Sequence, residues 1–165
     1  MGIGCVLSAG KNLVTKENTF AEFDNHVRQA VYDRFAQSGR APKTSELAAL
    51  LDVPAGEITA ACQRLAEAQI LVLQEDGEIL MAVPFSAVET PFKVETAEQT
   101  YWANCMWDAL GIAAAIDQDS QIGTACPDCD TPLTLYIKDG QVSGDAGIVH
   151  FLVPANDWWK NIIFT

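Results

Sequence analysis

A chain of 165 residues, 49% of them hydrophobic, can pack one domain or two small ones sharing a core, which excludes disorder as the default. Ten basic residues against 22 acidic ones leave a net charge of −12, a surface that repels nucleic acid and anionic lipid unless a local basic patch overrides it. No apolar run reaches the length of a membrane span, and the start "MGIGCVLSAGK" lacks both a signal-peptide pattern and the Ser or Thr that myristoylation wants at Val6. A cytoplasmic protein is therefore expected, with its five cysteines held as free thiols or metal ligands.

Residues 1–19 carry no periodic signal and read as an N-terminal tail. From there Phe20, Phe23, Val27, Ala30, Val31 and Phe35 fall on one helical stripe, which "SGRAP" breaks, with Gly39 suited to the C-terminal cap. "KTSELAALLDV" predicts a second helix with Thr44 as N-cap and Leu47, Leu50 and Leu51 facing inward. Pro54 fits the first turn of a third, carrying Ile58, Ala61, Cys62 and Leu65. "ILVL" and "ILMAV" flank Asp76-Gly77 as a β-hairpin.

Three helices and a hairpin over residues 20–83 make a winged helix-turn-helix pattern, yet its charge argues against DNA. The segment has five basic residues (Arg28, Arg34, Arg40, Lys43, Arg64) against ten acidic ones. Its third helix offers only Gln63 and Arg64 as readers of base or phosphate.

Residues 84–165 read as a second domain, a helix packed on a small, mostly antiparallel sheet, so the whole chain is expected to be α+β. Val83–Glu95, with two prolines, is predicted to be an extended linker or edge strand. Thr96 and Gln99 form a capping-box signature for a helix running through "TYWANCMWDALGIAAAI". "PLTLYIKDGQVSG" predicts a strand and turn around Asp139-Gly140, and "GIVHFLVP" another short strand. His150 is then a hydrogen-bonded strand histidine rather than a ligand.

Cys105 and Asp108 stand one helical turn apart in an apolar run. A carboxylate buried there either gains a raised pKa, as a proton donor would, or binds a cation. Equally, Asp108 can point to solvent or cap a neighbouring backbone group, with Cys105 a small core residue. Cys126 and Cys129 form a Cys-x-x-Cys, consistent with half a zinc site or a redox pair, but no second close pair accompanies them. Walker loops, dinucleotide fingerprints, nucleophile elbows and His-Glu-x-x-His are absent from the sequence.

The order "YWANCMWDALGIAAAI", "IGTACPDCDTPLTLYI", "GIVHFLVPANDWWKNIIFT" after a winged-helix-like region resembles the organomercurial (alkylmercury) lyase family. The resemblance spans roughly residues 20–165 and is closest over 101–165. It implies that Cys105 and Asp108 are catalytic and contact the mercury of substrate and product, and that Cys126 is a structural cysteine. Cys129 is an addition to the pattern and a further candidate metal ligand beside Cys126. The family's second catalytic cysteine follows the Trp-rich segment, about where this sequence stops at Thr165, so the domain is expected to be incomplete at its C-terminus.

Such an enzyme would cleave a carbon–mercury bond by protonolysis, giving a hydrocarbon and Hg(II). A thiolate is the soft ligand that holds the metal, and Asp108 takes up a thiol proton and passes it to carbon. Trp102, Met106, Trp107 and Leu110 are the neighbours expected to raise its pKa. Cys105, read as lying well inside the helix, should gain little from the helix dipole. No cofactor is implied; small thiols are the co-reactants and a mercuric reductase the implied acceptor of Hg(II). Two alternatives carry no catalysis. One is a thiol-rich, metal-responsive winged-helix regulator; the other is an interaction module stabilised by zinc on Cys126 and Cys129.

Overall fold

A computed structural model describes residues 21–145 and 147–163; the expected tail, Phe20 and the last two residues lie outside them. Helix α1 (Glu22–Ser38) buries Val27, Ala30, Val31 and Phe35 and closes at Gly39, whose φ of 67° lets its N–H reach the Phe35 carbonyl at 2.8 Å. Helix α2 (Thr44–Leu51) starts one residue earlier than expected, with Lys43 at the N-cap; the Glu46 carboxylate accepts the Lys43 N–H at 2.9 Å. Leu47 and Ala48 are buried but Leu50 is 53% exposed, contrary to expectation. The inward stripe centres on residues 47, 48 and 51, and Leu50 falls on its flank.

Helix α3 (Ala55–Glu67) has Pro54 as N-cap rather than inside its first turn, and buries the four expected side chains, Ile58, Ala61, Cys62 and Leu65. Burial, with Glu78 and Asp24 nearby, pushes the Cys62 thiol up to about 11, so this cysteine serves packing. The Arg64 guanidinium donates to both oxygens of buried Asp24 on α1, Nε at 2.8 Å and a terminal nitrogen at 2.5 Å. Arg64, the basic reader that a nucleic-acid role would need, is thereby committed to an internal fork.

That pairing holds the Asp24 carboxyl below its usual range, chiefly through the hydrogen bonds to Arg64. Arg64→Ala is expected to cost about 1–2 kcal/mol in urea unfolding at neutral pH, because it strands a buried carboxylate. Arg64 is itself half exposed, which keeps the figure at the low end. With the folded pKa depressed, the stabilisation is present above about pH 4 and is lost as pH falls through the folded value. The difference between wild type and variant should therefore shrink in acid.

Strands β1 (Val72–Leu73) and β2 (Ile79–Ala82) form the expected hairpin, with Gly77 at φ 83° in its turn. Val83–Glu95 is neither linker nor edge. It supplies β3 (Phe85–Ser86) and β4 (Phe92–Glu95), both interior strands of one eight-stranded antiparallel sheet, ordered β1-β2-β3-β5-β4-β6-β7-β8. Pro84 and Pro91 immediately precede the two strands, so neither removes a donor from a ladder.

Thr96 and Gln99 do not start a helix. The Thr96 hydroxyl accepts the Gln99 N–H at 3.0 Å and closes the turn into β5 (Thr100–Ala103). A side-chain oxygen bonded to an N–H three residues on is common to N-caps and to such turns. Pairing of Tyr101 and Trp102 with β4 decides between them. Helix α4 (Met106–Ile116) is correspondingly shorter than expected. It is followed by β6 (Ser120–Ala125), β7 (Pro132–Lys138) and β8 (Gln141–Gly144), with Asp139-Gly140 turning β7 into β8.

"GIVHFLVP" is not a strand. Ile148 is 95% and Leu152 84% exposed, His150 is exposed, and the segment pairs with no strand among the described residues. Hydrophobicity alone favours a strand here, but a strand is made by its ladder, and these residues form none among the described residues. A 3-10 helix at Ala155–Lys160 follows, where Trp158 Nε1 donates to the Val153 carbonyl at 2.8 Å.

The architecture is α+β, with one contiguous core running from Val27, Phe35 and Leu65 through Phe85 and Tyr101 to Ile112 and Ile122. The expected boundary at 83/84 falls in the turn between β2 and β3, and the ladder crosses it through Met81–Ser86 and Ala82–Phe85. No described helix is long and apolar enough to cross a membrane. What matters for chemistry is that α4 packs on β4, β5 and β6, with its first turn at one end of the sheet.

Candidate functional site at the start of helix α4

Strand β5 ends at Ala103, whose carbonyl accepts the Thr90 hydroxyl at 2.5 Å. The chain then turns through Asn104 and Cys105 into α4. Cys105 is the N-cap, in extended backbone at φ −154°, and its carbonyl accepts the Ala109 N–H at 2.9 Å. Its Sγ accepts the backbone N–H of Asp108 at 3.4 Å, the contact a serine or aspartate usually makes at this position. The buried Asp108 carboxyl therefore starts from the same helical turn whose N–H the sulfur caps.

This corrects the expectation that Cys105 sits deep in the helix. At the N-cap it lies against unsatisfied N–H groups and the positive end of the dipole, where a forming thiolate is favoured. The boundary shifted because residues 100–103 went to the sheet.

Asp108 is 9% exposed and Cys105 half-buried. Asn104 holds the carboxylate in place: its Nδ2 donates to Asp108 Oδ2 at 3.1 Å and to the Pro84 carbonyl at 3.3 Å. The Asn104 Oδ1 is buried and finds no hydrogen-bond partner among the described residues. Pro84 also lies against α4, where a Cβ on Gly111 would come within 3.5 Å of the proline ring. The corner before β3 therefore packs against the Asn104 amide and the Gly111 turn of α4.

Burial is the main force on both groups. It pushes the Cys105 thiol above its ordinary value, with the Asp108 charge adding to the rise and the Asp108 N–H opposing it. Burial likewise raises Asp108, while hydrogen bonds from Asn104 and Cys105 pull the other way. The resting site is a neutral thiol beside a carboxyl group that holds a proton more readily than usual. Of the apolar neighbours expected around Asp108, Met106 and Leu110 pack against the core and Trp102 is half-buried. Trp107 turns outward at 64% exposure and shields nothing.

Cys126 and Cys129 lie in the turn between β6 and β7. The Cys126 N–H donates to the Thr131 carbonyl and its carbonyl accepts the Asp130 N–H, both at 2.9 Å. Cys129 is exposed, its Sγ 3.1 Å from Thr131 Oγ1. The Thr131 hydroxyl, then the Thr131 backbone and the Cys126 thiol, hold the Cys129 thiol below its ordinary value. Among the described residues no three His, Cys, Asp or Glu side chains gather closely enough to hold a metal. That leaves a structural zinc ion short of the four ligands it takes.

Asn104 and Pro84 were not singled out as site residues from sequence. Asn104 had a signal, since an amide four residues before Asp108 reaches it across one helical turn. Pro84, twenty residues upstream in sequence from Asn104, had none.

Comparisons with known proteins bear on the same region. Residues 85–165 match the family model MerB, alkylmercury lyase. Among solved structures the chain is similar to one described as the crystal structure of the mercury-bound form of MerB2. The TM-score is 0.63 at 18% identity, over 76% of this chain and 60% of that one. The likeness carries the α+β fold, and this chain spans about three-fifths of the length of the chain it matches. No curated protein matches.

Proposed function

We propose, on the premise that residues 85–165 carry the pattern of the alkylmercury lyase family, that this chain cleaves the carbon–mercury bond of organomercurials. The observation carrying this reading is the Cys105 sulfur capping the first turn of α4 through the Asp108 backbone N–H, with the Asp108 carboxyl buried on that same turn. A soft metal wants the sulfur, a departing carbon wants a proton, and here the two needs are met by adjacent groups.

The substrate arrives as R–Hg–SR′, bound to a small thiol. Cys105 attacks mercury as its proton passes to Asp108, giving R–Hg–S(Cys105), R′S⁻ and a neutral Asp108 carboxyl. That carboxyl then protonates carbon. R–H leaves, R′S⁻ takes the vacated position on mercury, and Asp108 is again a carboxylate. No electrons are exchanged with any other reagent. The dipole of α4 favours the thiolate as it forms, and Asn104 with Pro84 keeps the carboxyl aimed at it. Hg(II) then passes to small thiols or to a mercuric reductase, in the cytoplasm where such thiols abound.

The test is to incubate the chain with phenylmercury and excess small thiol and to measure benzene. Benzene above the protein-free rate supports the reading, and a rate equal to that background rejects it. The metal-responsive DNA-binding alternative is weakened by the commitment of Arg64 to Asp24, and a mobility-shift assay with operator DNA, with and without metal, would reveal it.

A further inference from the structure

The Cys126–Cys129 turn is unused by the chemistry above, yet it holds two cysteines three residues apart in one tight turn, closed by the Asp130 N–H on the Cys126 carbonyl. Both are free, one half-buried and the other exposed. The turn that presents them is fixed at both ends, since β6 and β7 pair down to Ala125–Pro132 and backbone bonds tie Cys126 to Asp130 and Thr131. A dithiol held this way loses little freedom on binding a metal.

Its ligand set is selective by what it offers. Zinc takes four ligands and calcium or magnesium six or more oxygens. Here two sulfurs stand without a third ligand among the described residues. Such a pair suits a soft cation content with two sulfur donors. We propose that Cys126 and Cys129 form a bidentate site for a soft, two-coordinate cation, mercury(II) above all, separate from Cys105.

The placement is also informative. Strands β5 and β6 flank β4, with Ala103 opposite Phe92 and Gly123 opposite Lys93. Cys105 and Cys126 therefore leave the same end of the sheet, on strands two spacings or roughly 10 Å apart. A metal released near the start of α4 would meet this dithiol on the same rim. Loading is a ligand exchange: mercury held by two monothiolates passes to Cys126 and Cys129, and their two protons leave on the two monothiols released. No oxidant or reductant is required. The site needs neither Cys105 nor turnover, so it stands apart from the lyase reading.

The experiment uses the full chain carrying Cys5→Ser and Cys105→Ser, which leaves the dithiol and the buried Cys62. Mercuric chloride is added at one equivalent in excess monothiol, and bound mercury is measured after desalting. The expected result is about one mercury per chain, with two sulfur neighbours by X-ray absorption. Adding Cys129→Ser, at an exposed position, should leave the circular dichroism unchanged and weaken retention by about 10²–10⁴-fold, the scale of a lost chelate. Equal retention with Cys129→Ser, no retention in the parent, or stoichiometric zinc in the purified protein would each overturn the proposal.

Discussion

Cys105→Ser is expected to release hydrocarbon from an organomercurial no faster than thiol-containing buffer alone. The fall should be at least about 10³-fold, the scale on which loss of a bond-forming group is felt. The variant is unusually informative because serine is a preferred N-cap. Its hydroxyl can accept the Asp108 N–H that Sγ now accepts. Stability should therefore stay within about 1 kcal/mol of wild type. Activity and fold are separated in one substitution, with hydrocarbon release reading the first and urea unfolding the second. Retained activity would mean that mercury is held elsewhere.

Asp108→Asn is expected to move rate and stability in opposite directions. The rate should fall about 10²–10⁴-fold, the usual contribution of a positioned general acid. Stability at neutral pH should rise by about 1 kcal/mol, as when a buried functional group is made neutral. The sign follows from the raised pKa. Between the unfolded and folded values the native state binds the extra proton, so wild-type stability falls as pH rises through that window. The advantage of Asp108→Asn should thus be full above the raised pKa and vanish below about pH 4.

On the proposed chemistry the same pair would set the pH dependence of turnover. The working form would carry one proton between Cys105 and Asp108, so the pair would titrate as a unit. Activity should decline in acid at a higher pH than an ordinary carboxyl would give, because Asp108 is raised. It should decline again only at alkaline pH, because the Cys105 thiol is raised as well.

Local sequence signals located the pieces better than their junctions. The buried stripe of α3 and the two hairpin turns were legible because periodicity and Asp-Gly dipeptides are local. The Cys105–Asp108 spacing was legible too. What the site owes to β pairing was not. Residues 100–103 joined β4 in the sheet, and that moved Cys105 from a helix interior to an N-cap. The Asn104–Pro84 contact depends on the same pairing, since it needs β3 beside β5. "GIVHFLVP" shows the converse, an apolar run left without a ladder partner.

The central claim is that Cys105 holds mercury while a proton from solvent-exchangeable groups, delivered through Asp108, ends on carbon. Single-turnover reaction of the chain with methylmercury and excess small thiol in D₂O tests it most directly. The account predicts monodeuterated methane, CH₃D, in step with Hg(II) release, and none above background from Cys105→Ser. No methane from the wild-type chain, or an equal yield from Cys105→Ser, would contradict it.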